Sequence, residues 1–415
     1  MKRLPIALTL LILSATLLRA GDSWTQFRGP TAQGYSDAKG LPRHWSETEN
    51  VKWKTALPGE GWSSPVVANG QIWMTTALEE GKSLRALCVD FATGKLVHDI
   101  EVFKNESVPP KHRRNSYASP TPVIDGDRVY LHFGSLGTAC LSTKDGSKIW
   151  ENRELKVDFQ NGAGGSPVLF KDKLLIACDG MDCQFEAALD TATGKIAWKT
   201  ERSAIPKLQK RPEDMRKAYG TPFITTIDGQ PQSITTAAER LYAYDPATGK
   251  ELWFVDYPGF SNVPLPVTDG KVMVIPTGFM KPEMWGIKVG GAKGDATSTH
   301  ILWKQVAGAP AQASPVLVDG RLYMVNDSGI LSCLNAMTGA IVWKERVGSD
   351  FAASLTYADG VIYLFDCMGK SLVIEPGDTF KTVASNQLAD GFMASPAVVG
   401  KSLILRTKKN LYRIE

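Results

Sequence analysis

The sequence predicts an all-β protein built from eight similar units, and three observations support that prediction. A turn motif with a tryptophan four residues beyond its glycine recurs along the chain. A second motif, which precedes an apolar strand, recurs in whole or in part eight times. The last unit lacks one strand, and a matching strand stands near the start of the chain. Since a repeat unit of this kind cannot bury its sheet alone, we expect radial packing into an eight-bladed β-propeller of four-stranded antiparallel blades.

The turn motif is clearest at residues 243–253. Asp245 opens a turn, Gly249 and Lys250 close it, and Trp253 follows in a strand. Good copies stand at residues 188–198 and 333–343, and weaker copies at residues 88–98 and 140–150. A Thr-Gly-Lys turn exposes flat backbone, which suits the large apolar plate of a tryptophan with its single donor.

The second motif is a small residue, then Ser or Thr, then Pro, and it is followed by an apolar run and an Asn-Gly or Asp-Gly pair. Proline cannot donate to a ladder and therefore belongs at the start of a strand. Asn-Gly and Asp-Gly accept the positive φ of a two-residue hairpin. The strand after the proline is the most apolar and is expected to be innermost. The copies are Ser63–Pro65, Ala118–Pro120, Gly165–Pro167, Gly220–Pro222, Val263–Pro266, Ala313–Pro315, Ala353–Leu355 and Ala394–Pro396.

The two ends of the repeat region complement each other. The last unit ends at Leu411–Glu415 without its tryptophan strand, and residues 51–55 match the missing piece. We therefore expect this N-terminal strand to complete the last blade and close the ring, with an open array or seven blades as the alternative.

The first twenty residues resemble a secretory signal. Lys2 and Arg3 precede an apolar run, and Ala20 stands at a small-residue cleavage position. The run is short for a membrane span. We predict a signal peptide over residues 1–20, an irregular arm over 21–49 and the propeller over 50–415. The predicted location is periplasmic or secreted, without a transmembrane segment. No cysteine stands near the cleavage position, which argues against a lipoprotein.

The net charge bears on one class of function, and the positions of the cysteines indicate which of them are buried. The formal net charge of +4 includes three basic residues of the predicted signal, so it gives no support for nucleic-acid binding. Among the six cysteines, three share one repeat position that other copies fill with alanine, which indicates buried packing. Cys178 and Cys183 flank a short turn and are predicted to be either a disulfide pair or two more buried thiols.

The repeat resembles that of the quinoprotein-dehydrogenase-like propellers, also called PQQ-like propellers, over residues 50–415. The resemblance implies that each motif tryptophan stacks on the turn of the neighbouring blade; these are Trp53, Trp150, Trp198, Trp253, Trp303 and Trp343. The segment Trp24–Pro30 matches the N-terminal W-x-x-F-R-G-P of exported bacterial propellers of this kind. A related branch includes the scaffold of the outer-membrane β-barrel assembly machinery.

Another branch of the family binds pyrroloquinoline quinone (PQQ) and calcium in the central funnel, often beside an adjacent cysteine pair. No Cys-Cys pair occurs here, and no matching set of calcium-binding carboxylates is evident. No nucleophile elbow occurs, and the five histidines are scattered. We therefore predict a non-catalytic binding or scaffold module with no cofactor, whose ligand is an envelope protein or polymer. The alternative is a PQQ-dependent oxidoreductase.

The loops that lead into each innermost strand are expected to line the funnel. They carry an aromatic-rich set with a few amides and one arginine, which is typical of a ligand pocket. The alternative is that these aromatics fill the funnel as packing. The candidates are Trp62, Arg114, Asn115, Tyr117, Tyr219, Phe260, Asn262, Gln312, Phe351 and Phe392.

Overall fold

The computed structural model describes residues 23–306 and 308–415. The predicted signal peptide lies outside the described residues. Within them the protein is almost entirely β-structure, arranged as eight antiparallel sheets. This confirms the predicted eight-bladed propeller.

Each blade contains four paired strands, which follow one another directly in sequence in blades 1–4, 6 and 7. A two-residue strand of the arm, β1, precedes them at Tyr35–Ser36, and β2 is Val51–Ala56. Blades 1 and 2 contain β3–β6 (Val66–Ala68, Gln71–Leu78, Ser83–Asp90, Leu96–Lys104) and β7–β10 (Val123–Asp125, Arg128–His132, Thr138–Ser142, Lys148–Asn152). Blades 3 and 4 contain β11–β14 (Val168–Phe170, Lys173–Asp179, Gln184–Asp190, Ile196–Glu201) and β15–β18 (Phe223–Ile227, Gln230–Ala237, Arg240–Tyr244, Glu251–Asp256).

Blade 5 differs from the others because an insertion precedes its last strand. Its strands are β19–β21 (Val267–Thr268, Val272–Pro276, Met284–Lys288) and β23 (Ile301–Gln305); the inserted β22 (Gly294–Asp295) pairs with β18 of blade 4. Blades 6 and 7 contain β24–β27 (Val316–Val318, Arg321–Val325, Ile330–Asn335, Ile341–Arg346) and β28–β31 (Thr356–Ala358, Val361–Phe365, Lys370–Glu375, Lys381–Gln387). Blade 8 contains β32–β34 (Ala397–Val399, Ser402–Arg406, Asn410–Ile414) and β2.

Helical structure is confined to short connecting pieces. The described α-helices are α1 (Pro206–Gln209) and α2 (Thr297–His300), and single 3-10 turns lie at Glu79–Gly81, Gly134–Leu136 and Glu213–Met215. In the part of the chain that the structure describes, no helix is both long and apolar enough to cross a bilayer.

The ring closes without a covalent link, as the sequence predicts. Strand β2 pairs antiparallel with β34, with Val51 opposite Ile414 and Ala56 opposite Asn410. Across the same joint, the buried Arg406 of blade 8 donates through Nη1 to the carbonyls of Ser63 (3.0 Å) and Thr75 (2.9 Å) in blade 1. Strand pairing within blade 8 and this guanidinium between blades therefore hold the two ends together.

The turn motif gains its shape from local hydrogen bonds. In the copy that ends β13, Asp190 Oδ1 accepts from the backbone N–H and the hydroxyl of Thr193, both at 2.8 Å. Those bonds, led by the hydroxyl, hold the pKa of Asp190 below its usual value. Gly194 then takes a φ of 71°, where a side chain is disfavoured. This accounts for the Asp, Thr and Gly of the motif.

Four of the motif tryptophans lie against the turn glycine of the next blade and donate to that turn. The pairs are Trp53 with Gly94, Trp150 with Gly194, Trp198 with Gly249, and Trp303 with Gly339. Their indole N–H groups donate to the carbonyls of Phe91 (3.0 Å), Thr191 (2.9 Å), Pro246 (3.2 Å) and Ala336 (2.9 Å). Trp343 also donates across blades, to the carbonyl of Gly377 (3.0 Å), and its ring packs against Phe380.

Trp253 departs from the pattern that the sequence predicts. Its indole N–H donates to Gln232 Oε1 of its own blade at 2.8 Å. In blade 5 the connection from β21 to β23 is the insertion that carries β22, so no Thr-Gly-Lys turn faces this ring. The expectation that Trp253 stacks on such a turn is therefore wrong, although the residue is buried in the core between the two blades.

Cys178 and Cys183 are separate thiols, as are the other four cysteines. The register of β12 and β13 places Phe185, not Cys183, opposite Cys178. Cys183 instead lies in the connecting turn, where its thiol points to the carbonyl of Lys156. The disulfide alternative is therefore wrong in this structure, and burial raises the pKa of Cys183 to about 11.

Candidate functional site

A cavity of about 480 Å³ occupies the funnel at the propeller axis. Its lining comes from the loops that precede the innermost strands and from two hairpin turns on the same face, which contribute Phe279 and Asp327. We call this the funnel face. The volume lies within the range of about 300–1,000 Å³ that is usual for ligand pockets.

The N-terminal arm closes the other end of the axis. Trp24 exchanges two backbone hydrogen bonds of 2.8 Å with Val67 of blade 1, and the side chain of Gln33 accepts from Thr268 of blade 5 at 2.9 Å. The arm thus crosses beneath the ring. Between these two anchors lies Phe27, whose side chain contributes to the cavity lining.

Arg28 follows Phe27 in the arm and is 2% exposed. It donates through Nη2 to the carbonyls of Gln33 (2.7 Å) and Pro315 of blade 6 (2.6 Å). Its Nε and Nη1 have no partner among the described residues. The W-x-x-F-R-G-P segment therefore anchors the arm beneath the ring, and its Phe27 contributes to the lining of the funnel.

A belt of seven hydroxyl groups forms the floor of the cavity. Each belongs to the second residue before an innermost strand and accepts a backbone N–H from the preceding blade, at 2.9–3.1 Å. The belt residues are Ser64, Thr121, Ser166, Thr221, Ser314, Ser354 and Ser395. Leu265 holds the eighth place without a hydroxyl, and its N–H donates to Ser314.

The belt explains the Ser-Pro motif, which the sequence analysis treats only as a strand start. It also corrects the alignment of two copies by two residues. In blade 2 the belt position is Thr121 rather than Ser119, and in blade 5 it is Leu265 rather than Val263, because Pro122 and Pro266 directly precede the strands. Both copies contain two prolines, so their sequence permits either alignment.

Five of the ten predicted funnel residues line the cavity: Trp62, Arg114, Asn115, Tyr219 and Gln312. The Trp62 indole donates to the carbonyl of Arg114 at 3.1 Å, and Asn115 Nδ2 donates to two backbone carbonyls of the next loop. The Tyr219 hydroxyl donates to a carbonyl, and burial raises its pKa. Most of their polar groups are thus engaged within the protein.

The charged groups of the cavity are paired or engaged. Arg114 Nη2 lies 2.7 Å from Asp350 Oδ1, which raises the pKa of Arg114 further. Asp327 accepts from Gln312 Nε2 at 2.9 Å and from the backbone of Ala311 at 3.1 Å. The cavity therefore has little net charge of its own.

The other five predicted residues lie outside the cavity. The Tyr117 hydroxyl donates to the carbonyl of Pro109 in its own loop. Phe260 packs against Phe279 and the cluster around α1. Three are buried in blade contacts instead: Asn262, which donates to the Tyr257 hydroxyl, Phe351 and Phe392. Burial of apolar area favours these inward positions over exposure in the funnel.

A second cavity of about 400 Å³ lies between blades 3 and 4, beneath the basic loop that contains α1. Arg202 forms a bidentate pair with Asp179 there, at 2.6 and 2.8 Å. Behind it, Glu186 is fully buried and accepts from two hydroxyls of blade 4, and burial raises the pKa of this carboxyl. The ion pair lies within blade 3, and the hydrogen bonds from Ser233 and Thr235 to Glu186 connect it to blade 4.

The funnel lining does not provide the oxygen ligands that the calcium ion of a PQQ site would take. Calcium takes six to eight oxygen ligands, commonly including several carboxylates. Asp327 is the lone carboxylate in the described lining of the funnel, and both of its oxygens are already engaged. Across the described residues no group of three His, Cys, Asp or Glu side chains is placed to hold a metal.

Comparison with solved structures gives fold neighbours of diverse kinds. BamB from Moraxella catarrhalis aligns with a TM-score of 0.60 at 11% identity, over 88% of this chain and 99% of that one. Quinohemoprotein alcohol dehydrogenase from Comamonas testosteroni aligns with a TM-score of 0.67 at 12% identity, over 95% and 80%. The computationally designed Ika8 protein aligns with a TM-score of 0.59 at 11% identity, over 87% and 98%. At these identities the likeness shows the fold alone.

No curated protein matches the sequence. The model of one protein family matches residues 41–179, 184–288 and 292–379, which is most of the propeller. That family is described as outer membrane protein assembly factor BamB. The chain therefore belongs to this family of PQQ-like propellers.

Proposed function

We propose that the protein is an exported, non-catalytic binding module that holds a partner protein or a cell-envelope polymer at the funnel face. The observation that carries the proposal is the cavity itself. It is closed below by the arm, and the belt hydroxyls on its floor have protons to donate. A site of this kind presents donors and apolar surface to a ligand without a reactive group.

The lining lacks an activated nucleophile. Serine acts as a nucleophile when a base such as histidine takes its proton. His112 is the sole histidine of the described lining, and its Nδ1 is bonded to the backbone N–H of Arg114. None of the lining serines is bonded to it within the described residues. The geometry thus supports binding rather than covalent chemistry.

The family supports the same conclusion. Its name describes a factor that assists the assembly of outer-membrane proteins, which is a role in protein contact. The signal predicted from the sequence would carry the chain to the compartment in which such a role is exercised. A dehydrogenase has the same fold, so the choice between the two functions rests on the funnel lining.

Reconstitution with the cofactor tests the proposal against the dehydrogenase alternative. The purified chain is titrated with micromolar PQQ in the presence of calcium, and bound PQQ and alcohol-dependent dye reduction are measured. We expect no saturable binding and no dye reduction. Stoichiometric binding of PQQ with dye reduction would overturn the proposal.

A further inference from the structure

The belt hydroxyls differ from other polar groups of the funnel because their protons have no acceptor among the described residues. A hydroxyl has one proton to donate and two lone pairs. Each belt hydroxyl uses a lone pair to accept a backbone N–H, and none donates to another described residue. Ser119 also lines the cavity, but its hydroxyl donates to Asn115 Oδ1 at 2.6 Å. The floor therefore offers seven uncommitted donors.

The walls above the floor are largely apolar. Trp62, Tyr219 and Phe279 contribute aromatic surface, and Val263 and Met393 contribute aliphatic surface. A volume of about 480 Å³ admits a few residues of extended chain but not a folded domain. The fitting ligand thus has apolar side groups and acceptor oxygens at its tip.

Two hairpins on the rim of the funnel carry exposed apolar side chains. Phe279 and Met280 lie at the tip of the hairpin between β20 and β21 and are 56% and 67% exposed, and Met368, in the corresponding hairpin of blade 7, is 66% exposed. Exposed apolar side chains beside a cavity provide surface that a bound polypeptide can cover. Methionine adapts to different partner surfaces.

These observations favour a polypeptide over a polysaccharide. Sugar hydroxyls both donate and accept, and are commonly matched by side-chain amides, which do the same, and by carboxylates, which accept. The side-chain amide nitrogens of Asn115 and Gln312 and both oxygens of Asp327 are already engaged. What remains on the floor is a set of hydroxyls, each with a free proton and one lone pair. The protons suit carbonyl and carboxylate oxygens, and the apolar walls and exposed apolar side chains of the rim favour a polypeptide.

We propose that the funnel takes the tip of an apolar polypeptide segment of a partner protein, whose carbonyl or carboxylate oxygens accept hydrogen bonds from the belt. This inference rests on the proposed function and specifies its ligand. The acceptor oxygens belong either to a free chain end or to the peptide groups of a loop. A chain end and a loop would both accept hydrogen bonds from the belt. They differ because only a chain end requires the segment to terminate at the floor.

Affinity selection with two peptide libraries tests the proposal. One library holds random linear hexapeptides with a free carboxylate, and the other holds cyclic peptides of the same composition. Both are selected on the purified full chain, and the dissociation constant of the enriched peptides is then measured. Enrichment of apolar peptides from the linear library assigns a chain end, and enrichment from the cyclic library assigns a loop.

Three variants separate the floor from its surroundings. Thr121→Val keeps the side-chain shape and removes one donor, together with the acceptor of the Ser64 N–H, and is expected to weaken binding about tenfold. Thr121→Ser restores the hydroxyl and the affinity. Met337→Ser, in the turn between β26 and β27 on the opposite face, is expected to leave the affinity unchanged. Leu265 shows that the belt tolerates a position without a hydroxyl.

If Thr121→Val fails to fold, Phe279→Ser tests the apolar wall of the same site from an exposed position, with an expected loss of affinity of about tenfold. Selection of no peptide from either library, or equal affinities in all variants, overturns this inference. Binding of envelope polysaccharide in the funnel would also overturn it but leave the proposed function intact. Stoichiometric loading with PQQ would overturn the proposed function itself.

Discussion

Substitution of one turn glycine tests the contact between blades 3 and 2 with a matched control. Gly194 has a φ of 71°, and a methyl group there would lie 2.4 Å from Cε3 of Trp150. Gly229 has a φ of 74°, and a methyl group there would meet nothing within 4 Å. Both alanine substitutions incur the same backbone strain, of about 1–2 kcal/mol. The difference between them therefore reports on the tryptophan.

The expected difference follows from the packing. To accept the methyl group, the Trp150 ring must move by about 1 Å, which costs about 1–3 kcal/mol in a packed interface. It also strains the 2.9 Å hydrogen bond from the indole to Thr191. We expect Gly194→Ala to lower the free energy of unfolding by about 2–5 kcal/mol and Gly229→Ala by about 1–2 kcal/mol.

Guanidinium chloride unfolding, followed by circular dichroism, measures both variants. Equal losses of stability would refute the idea that the tryptophan contact contributes to the stability of the ring. A second check is the double variant Trp150→Ala with Gly194→Ala. Removal of the ring should make the added methyl group cost no more than it does at Gly229.

Two further predictions concern the closure of the ring and its dependence on pH. Arg406→Met leaves the buried carbonyls of Ser63 and Thr75 without this donor and should cost about 2–5 kcal/mol in urea unfolding, whereas Arg321→Met, at an exposed ion pair, should cost at most about 1 kcal/mol. Equal costs would contradict the role of Arg406 in closure. Burial lowers the pKa of His132 from 6.5 to about 4, so its contribution to stability is complete above pH 6.5 and is lost as the pH falls toward 4. His132→Asn should remove up to about 3 kcal/mol of this acid sensitivity, and an unchanged difference in stability between pH 7 and 4.5 would count against it.

The fold can be predicted from the sequence because the motifs that indicate it recur along the chain. Eight copies of one hairpin pattern average out local ambiguity, and the incomplete last unit pointed to the strand that closes the ring. The exceptions arise where one copy differs from the rest. Blade 5 carries an insertion in place of the turn that Trp253 was expected to meet. Blade 2 has two prolines before its innermost strand, so the belt residue Thr121 was not distinguished from Ser119.

The residues of the candidate site can be predicted from the sequence only in part. Sequence spacing identifies which loops reach the funnel face but not the direction of each side chain. Trp62 and Tyr219 line the cavity, whereas Phe351 and Phe392 turn into the core, where they bury more apolar surface. Strand register also determines whether Cys178 lies opposite Cys183, because the pairing of β12 with β13 places Phe185 opposite Cys178.

The belt was the part of the site that sequence reasoning missed. Its signal was present, since a hydroxyl residue precedes most of the innermost strands. A strand start explains the proline but not the hydroxyl, which has a partner only when the neighbouring blade is in place. A contact between repeats cannot be read from one repeat alone.

The most direct test of the central claim compares the two faces of the propeller in cells. The claim is that the partner is held at the funnel face. A photo-crosslinking residue replaces Met280 on the funnel rim or Met337 in the turn between β26 and β27 on the opposite face; these positions are 67% and 45% exposed. The account predicts one adduct from position 280 that is absent from position 337, with a partner that binds purified wild-type and Met337→Ser proteins but not Met280→Ser. An adduct formed only from position 337, or a partner that binds Met280→Ser as well as it binds the wild type, would contradict it.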